Sequence, residues 1–245
     1  EIKELKARES IPGVRPDNTE FNDQFEIPTL SEVIDLVKQV EAETGKTIGI
    51  YPETKHPTFF EKEGTFLDGT PINIDTSEIL VDTLVSNEFT DPERIFIQSF
   101  EIENLLELQT EFLPEAGIDI PLVQLLGDFT LSEGSFSFPY DVVYNFGEEN
   151  ANATPEVYAD FPIEFSAETD YGKLANPEVI DYIGSAYAEG LGPWKNSFIL
   201  RESIAEPVDG NGDGNAQITS QLTGEIIPLV DWAHDAGMQV HPYTL

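Results

Sequence analysis

The chain has 245 residues, 40% of them hydrophobic, which is enough for one substantial buried core. Forty-seven acidic residues against twelve basic ones leave a formal charge of -35, which argues against a basic face for nucleic acid or for an anionic membrane. There is no cysteine, so disulfides, thiolate metal sites and cysteine nucleophiles are excluded, and no apolar run is long enough to predict insertion into a membrane. A marine, halophilic or secreted origin accounts for most of the carboxylates without any ligand, because negative charge keeps a protein hydrated in salt.

In chain order, the first clear element is a helix. Thr29-Leu-Ser-Glu32 spells a capping box and predicts a helix to about Glu43, with Gly45 as its stop. Residues 47–57, Thr-Ile-Gly-Ile-Tyr-Pro-Glu-Thr-Lys-His-Pro, then read as a short apolar strand running into Glu53 and Lys55. A spacing of two sends both side chains off one face at the strand's C-terminal end. Gly49 and Tyr51 share that face and Ile48 and Ile50 take the other, which predicts a polar inner side and an outer side packed under helices. Opposite charges on one face suit an anion and its metal; the same spacing also serves as a plain solvated pair.

Asp75-Thr-Ser-Glu78 spells a second capping box, opening a helix with Ile79, Leu80, Leu84 and Val85 as its apolar stripe and an end near Asn87. Residues 101–112 continue the helical pattern, with Ile102, Leu105, Leu106 and Leu108 on or near one face. After Leu126 the regularity breaks. Residues 127–176 are rich in Gly, Pro, Asn, acidic and aromatic residues and predict a long irregular insertion. It forms either the rim of a substrate site or a surface excursion with a small aromatic core of its own.

Further on, Asp209-Gly-Asn-Gly-Asp-Gly-Asn215 matches the start of a calcium loop, with Asp209, Asn211, Asp213 and Asn215 as ligands. The twelfth place is Ser220, where such a loop needs a bidentate Glu. Asp-Gly and Asn-Gly are also strong turn formers, here ahead of a helix expected over 226–232. The histidines are His56, His234 and His241. His234 falls late in that helix, where a polar or positive side chain suits the carbonyl end. His56 faces away from Lys55, and His241 shares a strand face with Tyr243.

The run 47–57 resembles the third-strand motif of the glycerophosphodiester phosphodiesterases, especially the long periplasmic or secreted bacterial type, in which a Glu-x-Lys ends a barrel strand. Residues 1–28 resemble the family's lead-in to that strand. Ile95-Phe-Ile-Gln-Ser-Phe100 resembles its fourth strand, Leu122-Val-Gln-Leu-Leu126 its fifth and Tyr187-Ala-Glu-Gly-Leu-Gly-Pro-Trp-Lys195 its sixth. The run from Asp231 through His241-Pro-Tyr-Thr244 resembles the helix and strand that lead to the seventh.

The resemblance implies an α/β fold, a TIM (β/α)8 barrel with strands about 3–7 in this chain. Residues 1–245 would form one incomplete barrel domain, with 127–176 on its active-site face. The family's His-Arg, Glu-x-Asp and His-Asp motifs come before its third strand and have no match here. The expectation is therefore a segment of a longer polypeptide, inactive alone, whose remainder completes the barrel.

The implied activity is metal-dependent hydrolysis of glycerophosphodiesters to sn-glycerol 3-phosphate and an alcohol. Glu53 would be a metal carboxylate and Lys55 the catalytic phosphate clamp, while Gln98, Phe100, Tyr243 and His241 would line the substrate. Hard oxygen ligands suit Ca2+ or Mg2+ rather than a thiophilic metal, and Ca2+ is expected ahead of Mg2+. The partner is a small-molecule phosphodiester, with no nucleic acid and no membrane insertion, and the compartment periplasmic or extracellular. Two alternatives stand beside this: a non-catalytic barrel-derived binding or structural module, and a phosphodiesterase acting on another diester.

Overall fold

The local helix signals are met by the backbone. The computed structural model describes residues 2–130, 136–147, 150, 152–212 and 214–243, and it carries helix α1 at Leu30–Thr44. Thr29 Oγ1 accepts the Glu32 N–H while the Glu32 carboxylate accepts the Thr29 N–H, so two helix-end donors are satisfied reciprocally. Gly45 then turns left-handed at φ 68° and stops the helix. Helix α2, Thr76–Ser86, is capped by the Asp75 carboxylate, which accepts the Ser77 and Glu78 N–H groups; the reciprocal bond to the Glu78 carboxylate that a full capping box requires is not formed. Its core face is Ser77, Leu80, Val81 and Leu84; Ile79 and Val85, expected in the stripe, are exposed at its flanks. The set spaced i, i+3, i+4, i+7 is the one that meets the sheet layer, and Val81 belongs to it where Val85 does not.

The strands are β1 (Ile97–Ser99), β2 (Leu122–Leu126), β3 (Gly190–Pro193), β4 (Ile199–Val208), β5 (Ile218–Ile226) and β6 (Gln239–Val240). β1, β2, β3 and β6 form one parallel sheet in chain order. Residues 48–54 extend it beyond β1 through the parallel bridges Ile50 to Ile95 and Glu53 to Gln98, and a bridge from Trp194 to Tyr243 prolongs its other side. Parallel neighbours require crossovers, and helices supply them: α3 (Ile102–Glu107), a π-helical turn at Leu108–Phe112 and α4 (Leu113–Ala116) lead from β1 to β2. The result is an α/β layer with an open sheet. Among the described residues it does not close into a barrel.

Strand alternation sorts the side chains as the run 47–57 suggested. Ile95, Ile97, Leu122, Leu126 and Leu191 point outward and are buried under the helices. Val123 and Leu125 take the other, concave face, opposite the small Gly190 and Gly192. A Cβ on Gly192 would lie 2.4 Å from Leu125 Cδ2, so any larger residue there must displace that side chain.

The insertion carries helices α5 (Tyr140–Asn145) and α6 (Tyr171–Leu174) and a 3-10 turn at Pro155–Tyr158. Phe146, Tyr158, Phe161 and Phe165 pack ring against ring within it. Helix α7, Pro177–Ala186, then leads to β3, and a short helix α8, Lys195–Phe198, follows β3.

A hairpin stands where only a turn was expected. β4 and β5 pair antiparallel as a largely exposed two-stranded ribbon, with 209–215 at its tip. The helix expected over 226–232 accordingly begins later, as α9 at Leu229–Asp235, because Ile226 is held in the ribbon opposite Ile199.

Candidate active site

The C-terminal ends of the parallel strands converge on one mouth, where α/β sheets carry their chemistry. The strand at 48–54 delivers Glu53 beside Gln98, and Lys55 turns back so that its Nζ lies 2.8 Å from Glu53 Oε1. Glu53 is mostly covered, whereas the Lys55 side chain is 70% exposed. The ammonium is thus tethered by one carboxylate yet open to an incoming anion. Gln98 donates from Nε2 to the Tyr51 carbonyl at 3.2 Å, which joins the two neighbouring strands on the concave side.

Phe100 leaves the end of β1 into an aromatic group: its ring centroid lies 4.7 Å from Phe136 and 5.7 Å from Tyr243. The Tyr243 hydroxyl donates to the Leu126 carbonyl at 2.8 Å. Burial pushes that phenol up, and the charges of Glu53 and Asp128 add to it, so Tyr243 stays a neutral phenol whose one proton is committed to Leu126. His241 lies deeper on the concave face. Its Nδ1 is 2.9 Å from Tyr51 Oη and its Nε2 is 3.2 Å from Gln239 Oε1. The amide oxygen can only accept, so the ring carries its proton on Nε2 and accepts from Tyr51; burial holds the imidazole below its ordinary range.

Glu53, Gln98, Phe100 and Tyr243 therefore share the mouth, with Lys55 above them and His241 below. The predicted calcium-loop residues are elsewhere. Asp209, Asn211 and Asn215 sit at the hairpin tip, and Asp213 lies outside the described residues, as does Thr244. The Asp209 carboxylate accepts backbone N–H groups from Asn211, Gly212 and Gly214 at 3.2, 2.7 and 2.8 Å, so it caps a turn.

Beside the mouth is a buried acidic group that the sequence did not disclose. Glu101 accepts the Thr58 N–H at 2.9 Å, and its Oε1 lies 3.9 Å from His56 Nδ1. Asp141, fully buried on α5, accepts from the Glu103 N–H at 2.9 Å and from the Tyr158 hydroxyl at 2.8 Å. Burial, and for Glu101 the neighbouring Asp141 charge, push both carboxyls above the usual range. Glu103 pairs instead with Lys62 at 2.5 Å. These contacts join 58–62, α3 and the insertion across separations of roughly 40 to 90 residues, which no local pattern encodes.

As a donor set for a divalent metal the mouth is incomplete. Among the described residues no three or more His, Cys, Asp or Glu side chains are grouped to hold an ion. Glu53 could contribute one hard oxygen ligand; the described residues do not build a coordination sphere around it. No described helix is long and apolar enough to cross a membrane.

No family model matches the chain. Curated proteins do. A glycerophosphodiester phosphodiesterase of Haemophilus influenzae is 25% identical over 245 residues, covering 100% of this chain and 54% of that protein. One of Arabidopsis thaliana is 25% identical over 248 residues, covering 100% of this chain and 50% of that protein. One of Treponema pallidum is 26% identical over 101 residues, 41% of this chain. The chain spans about half the length of the first two relatives.

Proposed function

We infer that this chain, related along its whole length to the glycerophosphodiester phosphodiesterases, supplies the phosphate-holding side of such a hydrolase. The reaction proposed for the full-length protein is cleavage of a glycerophosphodiester to sn-glycerol 3-phosphate and an alcohol. The observation that carries the reading is the Glu53–Lys55 pair at the C-terminal edge of the parallel sheet, in a chain with those relatives.

The chemistry asked of these residues is electrostatic. Breaking the P–O bond to the leaving alcohol builds negative charge on the phosphoryl and leaving oxygens, and a fixed cation there lowers the barrier. On a chain of formal charge -35, an anionic diester also needs a local attraction. Lys55 supplies it, and Glu53 keeps the ammonium at the mouth until the phosphate arrives. Gln98, Phe100 and Tyr243 would line the substrate, and His241 would shape the floor below. Glu53 is proposed as one carboxylate of a divalent-metal site, Ca2+ ahead of Mg2+, whose other ligands come from the rest of the full-length protein. When bound, that ion would neutralise phosphate charge. Export to the periplasm or the medium belongs to the same proposal.

The test is hydrolysis of glycerophosphodiesters by the full-length protein, with Lys55→Ala, Glu53→Ala and a chelator as separate arms. Loss of a phosphate-binding cation should lower kcat/KM by about 100-fold or more. Activity that survives chelation and Glu53→Ala would sink the metal role. The second reading, a non-catalytic module, predicts no turnover of any diester by the full-length protein.

A further inference from the structure

The outer face of the sheet is mainly apolar, but near the mouth buried polar side chains interrupt it on three neighbouring strands. Ile48 and Ile50 are followed on the same parity by Thr54, between Glu53 and Lys55; Ile95 and Ile97 are followed by Ser99; Leu122 is followed by Gln124. Thr54, Ser99 and Gln124 are all buried, at 7%, 0% and 0% exposure. Apolar residues of similar size would satisfy that layer without hydrogen bonds, so polar side chains there need another reason.

They are linked. Thr54 Oγ1 donates to Asn104 Oδ1 at 2.6 Å, and Asn104 Nδ2 donates to Ser77 Oγ at 2.5 Å. Ser99 Oγ donates to the Thr54 carbonyl at 3.4 Å. Gln124 Nε2 reaches the carbonyls of Ser99, Phe100 and Leu125 at 3.4, 3.2 and 3.0 Å, and its Oε1 accepts from the Tyr187 hydroxyl at 2.8 Å. The belt runs from α2 through α3, then across three neighbouring strand ends to the loop before β3. We propose that Thr54 and Asn104 are positioning residues: the buried belt they begin holds the backbone between Glu53 and Lys55, and so sets where the two charges stand at the mouth.

The physical case is geometric. Thr54 N donates to the Gln98 carbonyl at 3.1 Å, so the residue between the two charges is held by its amide, its carbonyl and its hydroxyl at once. A hydroxyl-to-amide bond fixes direction as well as depth, whereas a valine of the same shape fixes only depth. Misplacing a charged group by about 1 Å costs on the order of 100-fold in rate, which is the scale on which such support acts. The catalytic part of this proposal rests on the reading of Glu53 and Lys55 given above; the rigidity part does not.

Thr54→Val keeps the volume and removes the bond to Asn104, and Thr54→Ser restores the hydroxyl. In the full-length protein, Thr54→Val should lower kcat by about tenfold with KM nearly unchanged at temperatures where it is fully folded, and Thr54→Ser should recover most of the loss. Amide exchange at Thr54 and Thr58 should quicken about tenfold in the Val variant and remain slow in the Ser variant. Unchanged exchange in Thr54→Val overturns the belt as a clamp, and faster exchange with unchanged kcat overturns its catalytic role. A wild-type protein without diesterase activity removes the functional reading, and exchange still decides the clamp. If Thr54→Val does not fold, Ser77→Ala loosens the far end of the belt and should move both measurements in the same direction.

Discussion

Tyr51 and His241 stand on opposite edges of the parallel sheet, yet Tyr51 Oη is 2.9 Å from His241 Nδ1. Three strands, β1, β2 and β3, lie between the segments that carry them. Their rings meet edge to face at 5.6 Å, and Phe96 packs against both, at 6.0 Å from Tyr51 and 4.9 Å from His241. A flat sheet would hold these residues more than 15 Å apart, since strands are spaced about 4.8 Å. The sheet is therefore curled. Glycines on β3, Gly190 and Gly192, leave the concave side open enough for its edges to approach.

Tyr51→Phe keeps the ring packing and removes the hydroxyl. It should cost about 1 kcal/mol, the net worth of a typical hydrogen bond, read as a lower midpoint in urea with unchanged slope. An unaltered midpoint would show that ring contacts alone hold the curl.

Gly192→Ala tests the same curl from β3. The new Cβ would meet Leu125 Cδ2 at 2.4 Å, with the His241 carbonyl at 3.4 Å. Overpacking of this kind costs roughly 1–3 kcal/mol. Leu125→Ala in the same chain should relieve part of the clash, so the two changes together should destabilise less than their sum.

The buried carboxyls set a pH dependence. Burial pushes Glu101, Asp141 and Glu107 up, Glu107 to about 8. A carboxyl raised on folding stabilises the native state fully below its unfolded value and loses that contribution as pH rises through the folded one. Glu32, held down at about 2 by Lys3 and the Thr29 N–H, works the other way and loses its contribution in acid, as do Glu9, Glu26 and Asp68. Stability should be greatest near pH 4.5 and fall steadily as pH rises through about 8. Denaturant midpoints at pH 5, 7 and 9 check this, and Glu101→Gln should flatten the alkaline side. A midpoint that climbs from pH 5 to 9 would contradict the assignment.

What could be read in advance was local. The capping box at Thr29 and Glu32, the stop at Gly45 and the parity of Glu53 with Lys55 depend on residues within a few positions of each other, and the structure keeps them. The choice of Val81 over Val85 depends on which way α2 is turned by its neighbours, and periodicity alone does not tell. Glu101 and Asp141 are 40 positions apart in sequence, with nothing in either neighbourhood to join them. The hairpin was legible in principle. Two β-rich runs flank Asp209-Gly-Asn-Gly, a turn signal, although the same Asp-Gly-Asn spacing also matches calcium ligands.

That hairpin should behave as a separate unit. The side chains of β4 and β5 are exposed or half-buried throughout, and cross-strand bonds such as Arg201 Nε to Ser220 Oγ at 2.9 Å hold the two strands together. Isolated two-stranded ribbons are marginally stable in water, so local opening here should cost little and leave the core intact. Asp209→Ala removes the carboxylate that receives three backbone N–H groups at the tip. It should speed amide exchange at Gly212 and Gly214 by about tenfold, from a loss on the order of 1–2 kcal/mol. The global melting temperature should stay within about 1 °C, because no hairpin residue belongs to the core. Titrating calcium into the same pair of proteins separates the two readings of the loop. A turn cap predicts no calcium-dependent change at 209–215, whereas a calcium loop predicts slower exchange there in the wild type that Asp209→Ala abolishes.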